Sequence, residues 1–154
     1  MQTWLMKSEP DVFSIADLRR AGQTPWTGVR NYQARNFMRD RMRIGDRVLF
    51  YHSNADPSGV AGVGRVASAC YADATQFDRA AEVYEPRATP ARPVWMLVDV
   101  AYVETFPAVL SLAELRAEPR LAGLLVLQRG SRLSIQPVEP AHAALILKLG
   151  RARK

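Results

Sequence analysis

Two periodicities alternate along the chain, and together they lay out its elements. Residues 4–7 (WLMK) are a short apolar run at the start and predict a strand. In residues 13–22 (FSIADLRRAG), Ile15 and Leu18 share one face of a helix that Ser14 can cap; Asp17 stands three residues on and Gly22 ends it. The glycine and proline of residues 22–28 (GQTPWTG) predict a loop. Residues 31–42 (NYQARNFMRDRM) read as a second helix capped by Asn31. Ala34, Phe37, Met38 and Met42 line one side of it, and Arg35 and Arg39 share another.

Residues 45–54 (GDRVLFYHSN) and 59–71 (GVAGVGRVASACY) are strands joined by turn residues, hence a hairpin. The glycines of the second strand mark a bend or the close approach of another backbone. Residues 72–93, rich in alanine and proline, form an excursion from the sheet. Residues 94–106 (VWMLVDVAYVETF) are a long strand whose apolar continuity implies burial on both faces for part of its length. A capping box, Ser111 to Glu114, opens a short helix. Residues 124–130 and 131–138 follow as strands. Residues 139–150 close as a helix with Ala144, Leu145 and Leu149 facing in, and residues 151–154 are a frayed basic tail. About six strands with several short helices, out of regular strand–helix alternation, predict an α+β, mainly β architecture. It is a small, curved, mostly antiparallel barrel with peripheral helices, formed as one domain over residues 1–150.

The 154-residue length suits one core, and the 48% apolar content is that of a globular chain. No run approaches the apolar length of a membrane helix, and the first residues lack the pattern of a secretory signal, so a cytoplasmic setting is expected. Cys70 stands alone, which excludes an internal disulfide and multi-cysteine zinc sites; it reads as a buried, inert thiol. The formal charge is +6, and Arg30, Arg35, Arg39, Arg41, Arg43 and Arg47 crowd into eighteen residues against Asp40 and Asp46. Such crowding is the footprint of a surface for a polyanion.

Catalytic constellations are weak. No phosphate-binding loop, dinucleotide fingerprint or metal-ligand spacing is present, so no cofactor and no metal are expected. His52 and Ser53 are adjacent in a strand and point to opposite faces, which rules out a nucleophile–base pair. His142 reads as a structural residue of the last helix. Glu9 and Asp11 are a carboxylate pair with nothing to mark them as more than a solvated turn. Binding residues are better represented. Trp26, in a loop beside Arg30, Asn31 and Tyr32, is a poor core residue and a good stacking platform, whereas Trp4 and Trp95 sit in strand patterns and read as core. Lys7, Ser8 and Glu9 end the first strand, where a barrel mouth begins; a carboxylate there can accept from an exocyclic amine. Tyr51, His52, Ser53 and Asn54, at the end of another strand, can line the same mouth.

Taken in order, WLMKSEPDVFSI, WTGVRNYQARNFM, DRVLFYHSN, GVAGVGRV, WMLVDV and RLSIQPV resemble the EVE-domain family across residues 3–149. The resemblance implies a PUA-like fold, distantly related to the YTH domains that read a methylated adenine in an aromatic cage. It implies recognition of a modified base, with modified cytosine in DNA ahead of RNA. Ser8 matches the serine that the YTH domains present to the bound base, Glu9 replaces an amide there and favours a base with an amine donor, and Trp26 matches one cage tryptophan. A second cage tryptophan has no counterpart, which implies a more open pocket. The expected site is thus a base pocket of Lys7, Ser8, Glu9, Trp26, Asn31, Tyr51, His52, Ser53 and Asn54, with Arg30, Arg35 and Arg39 as rim and phosphate contacts. It is a non-enzymatic nucleic-acid site without a membrane partner, of a size to trap a buffer anion or small ligand in crystals. An RNA-binding module for modified tRNA or rRNA and a small-metabolite binder or enzyme using the same pocket are the competing readings.

Overall fold

In the structure, a computed structural model that describes residues 1–130 and 132–153, the first strand β1 (Thr3–Ser8) is followed by helix α1 (Ile15–Ala21). The capping box expected at α1 is present: the Ser14 hydroxyl accepts from the Asp17 N–H, and the Asp17 carboxylate accepts from the Ser14 N–H. Residues 23–25, expected in a loop, instead form a short edge strand β2 (Gln23–Pro25) paired with residues 99–101. Pro25 is tolerated there because the strand lies at the sheet edge. Helix α2 (Tyr32–Asn36) starts at Asn31, whose side chain accepts from the Ala34 N–H. It continues through a wider turn, Phe37–Arg41, closed by the Met42 N–H on the Phe37 carbonyl.

The hairpin is β3 (Arg47–His52) and β4 (Gly59–Val66). After it come a two-stranded ribbon of β5 (Tyr71–Ala72) and β6 (Met96–Leu97), the long β7 (Asp99–Ser111), α3 (Leu112–Ala117), β8 (Ile135–Val138) and α4 (Pro140–Arg151). The main sheet has six strands in the order β2-β7-β4-β3-β1-β8. All its pairings are antiparallel except β1 with β3, so the expected six-stranded sheet forms with one parallel pair, one strand in from the β8 edge.

Both faces of this sheet are covered. Trp4 and Met6 of β1, with Val48 and Phe50 of β3, enter one apolar cluster with α1 and α2. Leu5, Leu49 and Tyr51 point the other way into a second cluster with Phe106, Leu115 and Ile146. Strands buried on both faces are apolar without a gap, which is why these segments carry so little alternation. Sheet curvature is concentrated in β4, whose register against β7 shifts between Val60 and Gly62 and again between Val63 and Gly64. A Cβ on Gly62 would lie 2.4 Å from the Glu104 carbonyl oxygen and 2.9 Å from the Ile15 side chain, so the glycine permits the backbone contact foreseen from sequence.

Three expectations are corrected. Residues 124–130 are not a strand: Leu125–Leu127 make a tight helical turn that drops Leu124 and Val126 into the second cluster. Helix α4 turns in His142, Ala143, Ile146, Leu147 and Gly150, while Ala144 is exposed and Leu145 and Leu149 are half-buried. The helix is apolar around most of its circumference, and its facing is set by Gly150, where a Cβ would lie 2.1 Å from the Phe106 ring. The tail is also tied down, for Arg151 belongs to α4 and pairs with Glu104, and Arg153 pairs with Glu114; Ser131 and Lys154 lie outside the described residues. Gly62→Ala should lower the free energy of unfolding by about 1–3 kcal/mol, the usual penalty of overpacking, despite the gain in strand propensity. Urea denaturation of the two proteins measures it.

Candidate nucleic-acid interface

The parallel pairing of β1 with β3 has zero offset at its end, Lys7 facing Tyr51 and Ser8 facing His52. The Ser53 N–H continues it by donating to the Ser8 carbonyl at 3.0 Å. Two short segments more than forty residues apart in sequence therefore finish side by side at one end of the sheet. Trp26 reaches the same end from β2, its N–H on the Val98 carbonyl at 3.0 Å.

Around these strand ends lie two depressions that share Lys7. The first, about 280 Å³, is lined by Lys7, Ser8, Val12, Phe13, Thr24, Pro25, Trp26 and Thr27. The second, about 320 Å³, brings Lys7 together with Tyr51, Ser53, Asn54, Ser58, Arg116, Gln128 and Arg129, among others. The expected pocket is thus divided in two. His52, Glu9 and Asn31 line neither depression. A larger cavity, about 600 Å³, opens at the opposite end of β1 near Thr3, Arg47 and His142, away from every residue expected in the base pocket.

Trp26 is only 8% exposed and belongs to the first apolar cluster, its ring edge-on to Phe50 at 5.6 Å. The expectation of an open loop platform is corrected accordingly: Trp26 is a wall of the depression, fixed by the core behind it. Phe13 stands on the same depression, and Val12, 76% exposed, is an apolar residue left at its rim. The Ser8 hydroxyl donates to the Phe13 carbonyl at 2.6 Å, which leaves its oxygen free to accept. Burial pushes the Lys7 ammonium below its ordinary range, and among the described residues no carboxylate pairs with it.

The remaining predicted residues are occupied by the fold. The His52 Nε2 accepts the Ile15 N–H at 3.1 Å, so the imidazole seats the start of α1. Burial also pushes its pKa below 6.5. The Glu9 carboxylate is exposed and accepts from the Asn54 amide at 2.6 Å, with Asn54 at a positive φ of 49°. Asn31 is spent as the α2 cap.

The arginine cluster disperses. Arg30 commits all five of its N–H donors to protein acceptors: the Val29 and Val83 carbonyls, Asp73 and Thr75. Arg35 binds the Val94 carbonyl and Asn36 while stacking on Tyr32, its guanidinium 4.8 Å from that ring. Arg39 makes two hydrogen bonds to the exposed Asp40. Arg41 lies over Trp4 and Phe37. For Arg30, Arg35 and Arg41 the reason is the aromatic content of the same segment and its partners, since Trp95, Tyr32, Trp4 and Phe37 offer π faces close to their guanidiniums.

Cys70 is half-buried, its Sγ 3.8 Å from the Arg39 carbonyl oxygen, and is less enclosed than expected. Thr24, Thr27, Val12, Phe13, Arg116 and Arg129 are among the lining residues that sequence reasoning missed. Only the threonines carried a signal, by flanking Trp26.

The family model of the EVE domain matches residues 2–149. The chain belongs to the EVE domain family. Human thymocyte nuclear protein 1 is 40% identical over 164 residues, an alignment covering 95% of this chain and 72% of that protein. A crystal structure from Pseudomonas putida superposes on this EVE domain with a TM-score of 0.92 at 48% identity, covering 96% of this chain and 98% of that one. Human thymocyte nuclear protein 1 in complex with DNA containing 5-methylcytosine superposes with a TM-score of 0.91 at 36% identity, over 100% of both chains. The curled, mixed six-stranded sheet with short helices is the PUA-like fold. Among the described residues of this EVE domain, no helix is long and apolar enough to cross a membrane, and no group of three or more His, Cys, Asp or Glu could hold a metal ion.

His52 yields a prediction. Above pH 6.5 the imidazole is neutral in both native and unfolded chains, so the stability it provides is complete. As pH falls, the unfolded chain takes up the proton first and the native state loses ground. Stability should therefore fall as the pH drops through the ordinary imidazole range near 6.5, and His52→Gln, which keeps an acceptor for the Ile15 N–H, should flatten that part of the profile. Denaturation midpoints across the range report the difference.

Proposed function

We propose that this EVE domain is a non-catalytic, cytoplasmic DNA-binding domain that holds one modified cytosine in the depression between Trp26 and Ser8. The observation that carries the reading is that depression, built on rigid strand ends in a chain 36% identical to a relative solved with 5-methylcytosine DNA. At about 280 Å³ it stands at the small end of ligand pockets, a size for a single base.

The chemistry of its lining matches a cytosine edge. The N4 amine is a donor, and the Ser8 oxygen retains lone pairs to receive it. The neighbouring ring nitrogen and carbonyl oxygen are acceptors, and the Lys7 ammonium supplies donors. Trp26 stacks on the base from its core-fixed position, with Phe13 beside it. Val12 and Pro25 give a 5-methyl group an apolar contact, which accounts for a valine 76% exposed at the rim. Withdrawing the base from a duplex costs a few kcal/mol, so phosphate contacts are needed alongside the pocket. Glu9, expected to read the amine, is assigned to the rim through its bond to Asn54.

Binding of a single-stranded oligonucleotide with one central 5-methylcytosine, compared with its unmethylated twin by fluorescence anisotropy, tests the reading. The methylated strand should bind more tightly. Val12→Ser should reduce that preference about fourfold, the value of one methyl contact of about 0.8 kcal/mol, and Ser8→Ala should weaken both strands. Trp26→Phe keeps the core filled and should weaken stacking without unfolding. Equal affinity for the two strands in the wild type would sink the proposal, and tighter binding of the matched RNA would move the target to RNA through the 2′-hydroxyl.

A further inference from the structure

We infer that the second depression, between Lys7, Arg116 and Arg129, binds the backbone phosphate of the nucleic-acid strand whose base enters the first. The inference rests on the base-binding reading above and relocates the phosphate path away from the arginines of α2.

Its lining includes three cations and no aspartate or glutamate. None of the three makes an ion pair or a side-chain hydrogen bond among the described residues, whereas most of the arginines between positions 30 and 47 are engaged by acceptors or rings. Lys7 is half-buried without a counter-ion, an arrangement that costs free energy until an anion arrives. Arg116 stands near enough to the buried Tyr51 hydroxyl for its charge to act on that group, so it reaches into the depression despite its exposed position on α3. Ser53 and Gln128 add neutral donors at the same place. Three cations with uncharged hydrogen-bond donors and no acid is the composition of a phosphodiester site.

Position argues for the same occupant. Lys7 is a wall of both depressions, and a nucleotide's base and phosphate are joined through a single sugar. One nucleotide can therefore fill the first depression with its base and the second with its phosphate. Asn54, pinned by Glu9, borders this second depression and keeps that carboxylate at the rim.

The test is the salt dependence of binding for a single-stranded dodecamer carrying one 5-methylcytosine and for its plain twin, with wild type, the R116A R129A double variant and the R35A R39A double variant. Each phosphate contact on a single strand contributes about 0.7 to the log–log slope, so R116A R129A should flatten it by about 1.4. Both strands should weaken by the same factor, leaving the preference for the methylated base unchanged. R35A R39A should leave the slope as in wild type, and Lys7→Met should lower the slope and weaken both strands, because the base edge it serves is common to the two. A slope unchanged in R116A R129A, or lowered as much in R35A R39A, overturns the inference. A wild type without base preference whose slope still falls in R116A R129A retains the phosphate site and removes the base reading instead. Circular dichroism of the variants checks folding, which both exposed arginines should leave intact.

Discussion

A single enclosed carboxylate holds the part of the molecule on which the site depends. Asp73 is fully buried and accepts hydrogen bonds from the Gly28 N–H, from the Thr75 N–H and hydroxyl, and from Arg30. Burial alone pushes its carboxyl up; the bonds from Thr75, Gly28 and Arg30 outweigh that and hold it below the usual range. Gly28 has φ +83°, a conformation that glycine adopts without strain, so the chain can turn directly after Trp26 and present its N–H to Asp73. Arg30 then closes over Trp95 at 5.5 Å and reaches the Val83 carbonyl. The loop that places Trp26 and the excursion of residues 72–93 are thus one cross-linked body. Gln76 completes it, donating to the Asp73 and Trp95 carbonyls and accepting from the Val94 and Trp95 N–H groups, so its amide is fully satisfied in a dry place.

Around Trp95 the same logic serves stacking. Tyr32 lies over it at 4.9 Å, Arg35 and Arg30 lean on the rings, and Glu85 ties the indole N–H to Arg87, whose hydrogen bonds hold the Glu85 carboxyl at about 2. Arginines that look like a polyanion surface in one dimension are here the packing of an otherwise apolar-poor excursion. The cations that line the second depression are instead Lys7 of β1, Arg116 of α3 and Arg129 of the loop before β8.

The fold was readable because its signals are local and strong. Capping boxes at Ser14 and Ser111, the hairpin between β3 and β4, and the crowded glycines of β4 each follow from a few neighbouring residues. The misreadings arise where tertiary contact decides. Apolar residues surround most of α4, so only the absence of a Cβ at Gly150 against Phe106 tells which side turns in. For the site, Lys7, Ser8 and Trp26 could be placed together because strand ends and a loop tryptophan are visible in a pattern. That Trp26 is sealed from behind by Phe50 depends on a contact between residues distant in sequence, and that Arg116 shares a depression with Lys7 depends on α3 folding back against β7. Asp73, in a stretch of alanine and proline, carries no local mark of being buried at all.

The in-step parallel pairing of β1 and β3 fixes the strand ends independently of the loop that follows them. A slip of one residue would drive Trp4 and Met6 into the cluster built for Leu5, so the two cores police the alignment of the strand ends. The connection between β3 and β4, residues 53–58, contributes nothing to either core and yet supplies Ser53, Asn54 and Ser58 to the rim. What fixes the strand ends and what lines the second depression are therefore separable. Substitution in six loop residues can change that lining while the strands that carry it stay in place.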